Sequence, residues 1–307
     1  MIATTLVLVC LTLFLGSSLY FHWRGRLRFT LRRQLGDYST LLAPYNAFAC
    51  MRTEGGSRPV HELSRFPGLQ LLRDHWQEIR DEALALSATG QVKKADQQDD
   101  LVFYSFMKRG WKRFYLKWYR GAVPSARRLC PRTVELLEQT GCVNGAMFTL
   151  LEPHSRLGKH RDPFAGTLRY HLALSTPGSE DCWMRLDDTR YVWHDGEDFL
   201  FDSSYVHSAH NKTDQPRLVL FCDVERPMCG PISGAINGFV IRHIVPLTQV
   251  RNLPGDPIGL GNRVFAGLKP LRLAIQALKS ASAPAYYALK FGAAVAVVWL
   301  LVAALRS

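Results

Sequence analysis

The chain has 307 residues, enough for one large domain or two small ones, and its 47% hydrophobic and 21% charged content is an ordinary globular balance. A formal net charge of +12 suits an anionic partner, but no zinc-finger, RNP-like or helix-turn-helix signature accompanies it, which argues against nucleic acid and leaves anionic lipid or an acidic small molecule. Seven cysteines, an odd number with no C-x-x-C, argue against a disulfide framework or a structural zinc site and fit a reducing compartment.

Met1 to Phe21 carries no charged residue. At 1.5 Å per residue that length crosses a hydrocarbon core, and Tyr20, His22 and Trp23 follow as interface aromatics. No basic segment precedes the run and no A-x-A site follows it, so residues 1–23 read as a retained transmembrane anchor rather than a cleaved leader. Arg24, Arg26, Arg28, Arg32 and Arg33 form a positive flank, which places the following chain on the cytoplasmic side and some of these side chains at anionic headgroups. Residues 24–69, punctuated by Pro44, Gly55, Gly56, Pro59, Pro67 and Gly68, read as a basic juxtamembrane connector.

Residues 70–239 are expected to form the main domain. Trp76, Ile79, Ala83, Leu84 and Leu86 share one helix face, and a polar loop from Lys93 to Asp100 follows. Trp111–Trp118 alternates as a strand, and Pro131 opens a helix that Gly141 is placed to end. From Asn144 the texture changes to short β-rich runs at Ala146–Leu151, Thr167–Ser175, Cys182–Leu186, Arg190–His194, Phe199–Phe201 and Arg217–Asp223, separated by Gly, Pro, Asp and Asn. That spacing predicts a mainly β fold, a double-stranded β-helix (jelly roll, cupin-like) with flanking helices and terminal transmembrane helices. In residues 240–282, Val264, Phe265, Leu268, Leu271, Ile275 and Leu278 recur at helical spacing among basic residues. Pro270 breaks or bends this segment, which either lies in a membrane interface or packs on the domain. Residues 283–305 read as a second transmembrane or membrane-inserted helix in which Lys290 snorkels, the alternative being a buried or interfacial hairpin.

The chemistry gathers between His160 and Arg217. His160 and Asp162 flank one residue and, in a strand, point the same way; His207 joins them from a later strand. Two imidazoles and one carboxylate are the facial ligand set of a mononuclear non-haem iron, although an isolated H-x-D is common by chance and the same donors suit zinc. Arg169 and His171 share a strand face and need partners if turned inward, for which a bound carboxylate is a candidate. Arg217 opens an apolar strand. It either forks onto a bound dicarboxylate or makes a surface ion pair with Asp214 or Glu225.

His160, then Arg169-Tyr170-His171-Leu172, then Phe201-Asp202-Ser203-Ser204-Tyr205-Val206-His207, then Arg217, with Trp193-His194-Asp195-Gly196 between them, together resemble the aspartyl/asparaginyl β-hydroxylase family over roughly residues 100–230. The resemblance implies a double-stranded β-helix that uses Fe(II), 2-oxoglutarate and O2. It makes His160 and His207 iron ligands, sets Arg217 on the distal carboxylate of 2-oxoglutarate with help from Thr149, and puts Arg169 and His171 near its other end. The animal peptide hydroxylases of that family carry Gly where this chain has Asp162, so a full triad is expected here and a peptide substrate is disfavoured. A domain of this kind between hydrophobic termini resembles the bacterial lipid A hydroxylase subgroup. That implies C2 hydroxylation of a lipid A acyl chain at the cytoplasmic face of the inner membrane. The alternatives are an ornithine lipid, a peptide Asp or Asn, or a non-catalytic lipid-binding scaffold.

Overall fold

The computed structural model describes residues 2–92, 100–103 and 110–304; residues 93–99 of the expected polar loop lie outside them. Among the described residues, ten strands make two antiparallel sheets. The larger joins, edge to edge, β1 (Val60–His61), β8 (Asp198–Phe201), β5 (Thr167–Ser175), β10 (Arg217–Glu225), β3 (Val143–Leu151) and β2 (Trp111–Trp118). The smaller joins β4 (Ser155–His160), β9 (His207–Asn211), β6 (Cys182–Leu186) and β7 (Thr189–Val192). β3, β5 and β10 are buried along almost their whole length because both faces are covered. One face meets the smaller sheet, and α6 (Trp76–Ala88) and α8 (Pro131–Gln139) pack on the larger sheet from outside. This is the expected jelly roll with flanking helices.

The helices follow from local chemistry. Proline stands in the first turn of α7 (Pro124–Leu129) and of α8, where its missing N–H costs nothing. Gly141 at φ +63° stops α8. On α6, Ile79, Ala83 and Leu86 are buried as the spacing requires, but Leu84 is 42% exposed, one residue off the stripe.

The segment read as a connector with short elements holds several of them. It holds α2 (Leu31–Leu35), α3 (Tyr38–Leu41) and α4 (Ala43–Met51), then β1, which pairs with β8 and so belongs to the larger sheet, and it leads into α5 (Gln70–Asp74). The N-terminal helix α1 (Ile2–Trp23) exposes Leu6, Leu8, Val9, Leu11, Leu13 and Leu15 and buries Phe21 at its foot against Ala43, Ala47 and Cys50 of α4. From Thr5 to Trp23 it is long and apolar enough to cross a membrane, with 11% of that stretch buried.

Arg24 does not face headgroups. It is buried, with Nη2 2.6 Å from Asp202 Oδ2 and its guanidinium 3.8 Å above the Tyr205 ring. Arg26 and Leu27 donate their backbone N–H groups to Asp187, and Arg161 donates to the Phe21 carbonyl. The positive flank is thus partly a dock onto the domain.

Beyond β10, α9 (Pro231–Phe239) runs into a π-helical turn at Val240–Ile244. The expected break at Pro270 separates α10 (Leu260–Gly267) from α11 (Lys269–Ala281), in which no residue is buried. α12 (Ala283–Ala304) then continues for 22 residues; residue 305 lies outside the described part.

Candidate metal and co-substrate site

All seven residues singled out in the sequence line one cavity between the sheets: Thr149, His160, Asp162, Arg169, His171, His207 and Arg217. The register explains this. His160 at the end of β4 pairs with His207 at the start of β9, and their rings lie 4.1 Å apart between centroids. β4 ends at His160, so Asp162 is not held by a strand as expected. Its backbone N–H instead donates to the Ser203 carbonyl across the barrel mouth at 3.0 Å, and this turns the carboxylate inward.

The ligand atoms of His160, Asp162 and His207 all lie within 4.8 Å of one another. Each imidazole is oriented by a backbone carbonyl, His160 Nδ1–H donating to Gly158 at 2.7 Å and His207 Nδ1–H to Tyr205 at 3.0 Å. A carbonyl can only accept, so the proton sits on Nδ1 and Nε2 carries the lone pair. Both Nε2 atoms are 3.9 Å from Asp162 Oδ1. Burial pushes His160 down to about 3, helped by neighbouring His207, and burial also lowers His207. Neutral imidazoles are what a metal requires. Burial alone would raise Asp162, but Arg169, His207 and His160 hold it below the usual carboxylate range.

Arg169 is more committed than expected. Its Nη2 lies 2.7 Å from Asp162 Oδ2 and 3.0 Å from Asp223 Oδ1, and its guanidinium is stacked 3.4 Å above Phe221. It therefore orients and ionises Asp162, with both contacts made to the protein's own carboxylates.

Arg217 is the opposite case. Its side chain is 2% exposed, and among the described residues it has no carboxylate partner; Nε has no hydrogen-bond acceptor. Asp214 instead meets His154, and the surface ion pair considered from the sequence is absent. The guanidinium rests 4.5 Å from the Trp193 ring centroid, and burial lowers it to about 10. Both nitrogens of His171 are buried without a partner, and burial, then Arg217, keeps that ring neutral. A lone guanidinium beside unpartnered donors is costly unless an anion completes the site. The two-His, one-carboxylate set with one open side fits iron, and the orphaned Arg217 and His171 fit a dicarboxylate.

The roles of two residues escaped the sequence. Asp223 was within reach, because Arg217, Val219, Phe221 and Asp223 alternate on one face of a strand already recognised. Asp202 was not, since its partners Arg24 and Arg226 lie far away in sequence or in a loop.

Residues 73–227, about half of the chain, match the aspartyl/asparaginyl beta-hydroxylase family. The chain is 31% identical over 179 residues to an ornithine lipid ester-linked acyl 2-hydroxylase of Rhizobium tropici, a match covering 57% of this chain and 63% of that one. It is 32% identical over 114 residues to the mouse aspartate beta-hydroxylase domain-containing protein 2, covering 34% and 33%. The chain thus spans less than two thirds of the length of either relative. Among solved structures, a Pseudomonas putida prolyl-4-hydroxylase aligns at TM-score 0.33 and 16% identity, over 50% of this chain and 87% of that one. This chain belongs to the aspartyl/asparaginyl beta-hydroxylase family.

Proposed function

We propose that this chain is a membrane-held iron(II)- and 2-oxoglutarate-dependent hydroxylase that hydroxylates C2 of a lipid acyl chain, with its catalytic domain on the cytoplasmic side of the inner membrane. The observation that carries the reading is one cavity lined both by His160, Asp162 and His207 and by a buried Arg217 without an anionic partner. We take lipid A as the substrate, since a chain of net charge +12 suits a lipid bearing phosphates. The likeness to an ornithine lipid acyl 2-hydroxylase supports a second reading, the ester-linked chain of an ornithine lipid.

In this reading His160 and His207 offer Nε2, and Asp162, held ionised by Arg169, offers a carboxylate oxygen to the metal. Arg217 and Thr149 receive the distal carboxylate of 2-oxoglutarate, and His171 is placed to donate toward its other end. Iron(II), when bound, supplies oxygen activation coupled to oxidation of 2-oxoglutarate to succinate and carbon dioxide, with one oxygen atom going to succinate and the other to the acyl carbon. Trp193 and Phe221 back the two guanidinium groups and keep water from them.

Lipid A and ornithine lipid fractions from cells expressing the intact chain or His160→Ala test the reading by mass spectrometry. One added oxygen per acyl chain in either fraction, seen only with the intact chain, is the expected result. An unchanged pattern in both fractions removes the proposal.

Arg217→Gln separates co-substrate binding from stability. Losing a charge-assisted contact of about 1.5–3 kcal/mol raises the KM for 2-oxoglutarate roughly 10- to 100-fold. The melting temperature of the ligand-free protein holds or rises, because the buried charge had no partner. A fall in melting temperature with an unchanged KM would make Arg217 a structural residue.

A further inference from the structure

A second cavity, of about 340 Å³, adjoins the metal site and shares Phe103, Asp162 and Arg169 with it. We infer that this cavity is the berth of one acyl chain of a membrane lipid, loaded sideways from the bilayer through a mouth between Leu42 and Ile244.

The wall has a direction. Its charged groups form one connected cluster at the metal end: Asp162, Arg169 and Asp223 are joined by ion pairs, and the Tyr119 hydroxyl donates to Asp223 Oδ2 at 3.0 Å. The rest is chiefly Leu42, Val102, Pro163, Phe164, Val240, Ile244 and Val245. The polar groups there, Tyr45, Trp118 and Thr248, are satisfied by Asn237, by Thr248 and by the Val245 carbonyl. Such a space offers methylenes burial and gives a polar ligand nothing to bond, so the carbonyl end of a chain belongs beside Asp162 and the tail toward the mouth. The volume falls within the roughly 300–1,000 Å³ of small-molecule sites.

The mouth lies where a bilayer would reach it. Leu42 is 39% and Ile244 49% exposed, and both line the cavity. Ile232, Ile236 and Phe239 continue from Ile244 as an exposed stripe along α9 at the spacing of one helix face. On the other side, Leu42 and Tyr45 begin the helix whose Ala43, Ala47 and Cys50 bury Phe21, the foot of the apolar α1. The π-helical turn at Val240–Ile244 supplies two wall residues, Val240 and Ile244, Val245 follows directly, and such wide turns recur at functional sites. Only the identity of the reacting carbon rests on the hydroxylase reading; the occupancy of the cavity does not.

Cells expressing the full chain and fed a fatty acid with a mid-chain diazirine provide the test, since every membrane lipid then carries the probe. After irradiation, cross-links map to Trp118–Tyr119 and Val240–Val245 as well as to α1. Val240→Trp fills the cavity and lowers interior labelling roughly tenfold or more, the scale of an overpacked site, while α1 stays labelled. Val240→Ala keeps the interior labelling, and equal iron content in both variants shows that the domain is folded. Labelling confined to α1 and α12, or interior labelling that Val240→Trp leaves intact, overturns the inference. The same cells are read for oxygen gain on their lipids. Interior labelling without added oxygen supports the berth and removes the hydroxylase reading; added oxygen without interior labelling does the reverse.

Discussion

Asp162→Ala retains its fold and loses its metal. The substitution removes one of the three proposed ligand groups, whose donor atoms cluster within 4.8 Å, yet Arg169, the partner it abandons, still holds Asp223 at 3.0 Å. No buried cation is therefore left alone, and the thermal transition of the metal-free protein moves little. Iron affinity behaves differently. Groups that merely orient a ligand are worth about 10- to 100-fold in metal binding, so loss of a ligand itself lowers affinity by about 100-fold or more. Metal content after dialysis against a weak chelator measures this directly, and acyl hydroxylation falls with it. Equal iron retention by the variant and the parent would show that Asp162 is not a ligand and would leave it as the anchor of Arg169.

The clustering of His160, Asp162 and His207 was legible chiefly because two of the three are close in sequence. His160 and Asp162 are two residues apart, and the β texture around Arg169, His171 and Arg217 identified side chains that share an inward face. Strand boundaries at Thr167–Ser175 and Cys182–Leu186 matched the observed ones, since the apolar runs there end at turn residues on both sides. β4 left no such signature: Ser155 to His160 alternates among Arg, Gly and Lys and buries only Leu157. Its strand is imposed by pairing with β9. Within the connector, one element was hidden for a related reason. Val60 and His61 form an edge strand of two residues whose existence depends on β8, and no periodicity can announce a strand that short. Arg24 illustrates the limit of reasoning from composition. A run of arginines after an apolar segment has a general meaning at membrane surfaces, whereas the partner of this particular arginine, Asp202, lies 178 residues away.

Asp202→Ala is expected to be the most destabilising single change, and it reaches the metal. Asp202 is fully buried, with Arg24 at 2.6 Å on one oxygen and Arg226 at 2.9 Å on the other. Removing it strands two buried guanidinium groups, and breaking a buried pair in this way costs about 3–5 kcal/mol. For a chain of this size that lowers the melting temperature by roughly 10 °C. Burial alone would raise the Asp202 pKa, but Arg226 and Arg24 outweigh it and hold the group well below the usual carboxylate range. Its stabilisation is therefore fully present above the ordinary carboxylate pKa of about 4 and is lost as pH falls through the lower folded value. The parent loses stability in acid over that range, and Asp202→Ala, already lacking the contribution, shows a flatter dependence there. The loop that Asp202 anchors carries the Ser203 carbonyl, which receives the Asp162 N–H, and the Tyr205 carbonyl, which receives the His207 Nδ1–H. Two of the three proposed ligands are thus aimed by residues within three positions of this carboxylate, and Arg24 ties the same carboxylate to the foot of α1. Iron dissociation, measured at a temperature where the variant is still folded, is expected to quicken about 10- to 100-fold, as for other losses of ligand support. A variant that melts early but holds iron as tightly as the parent would confine Asp202 to stability and uncouple the anchor from the site.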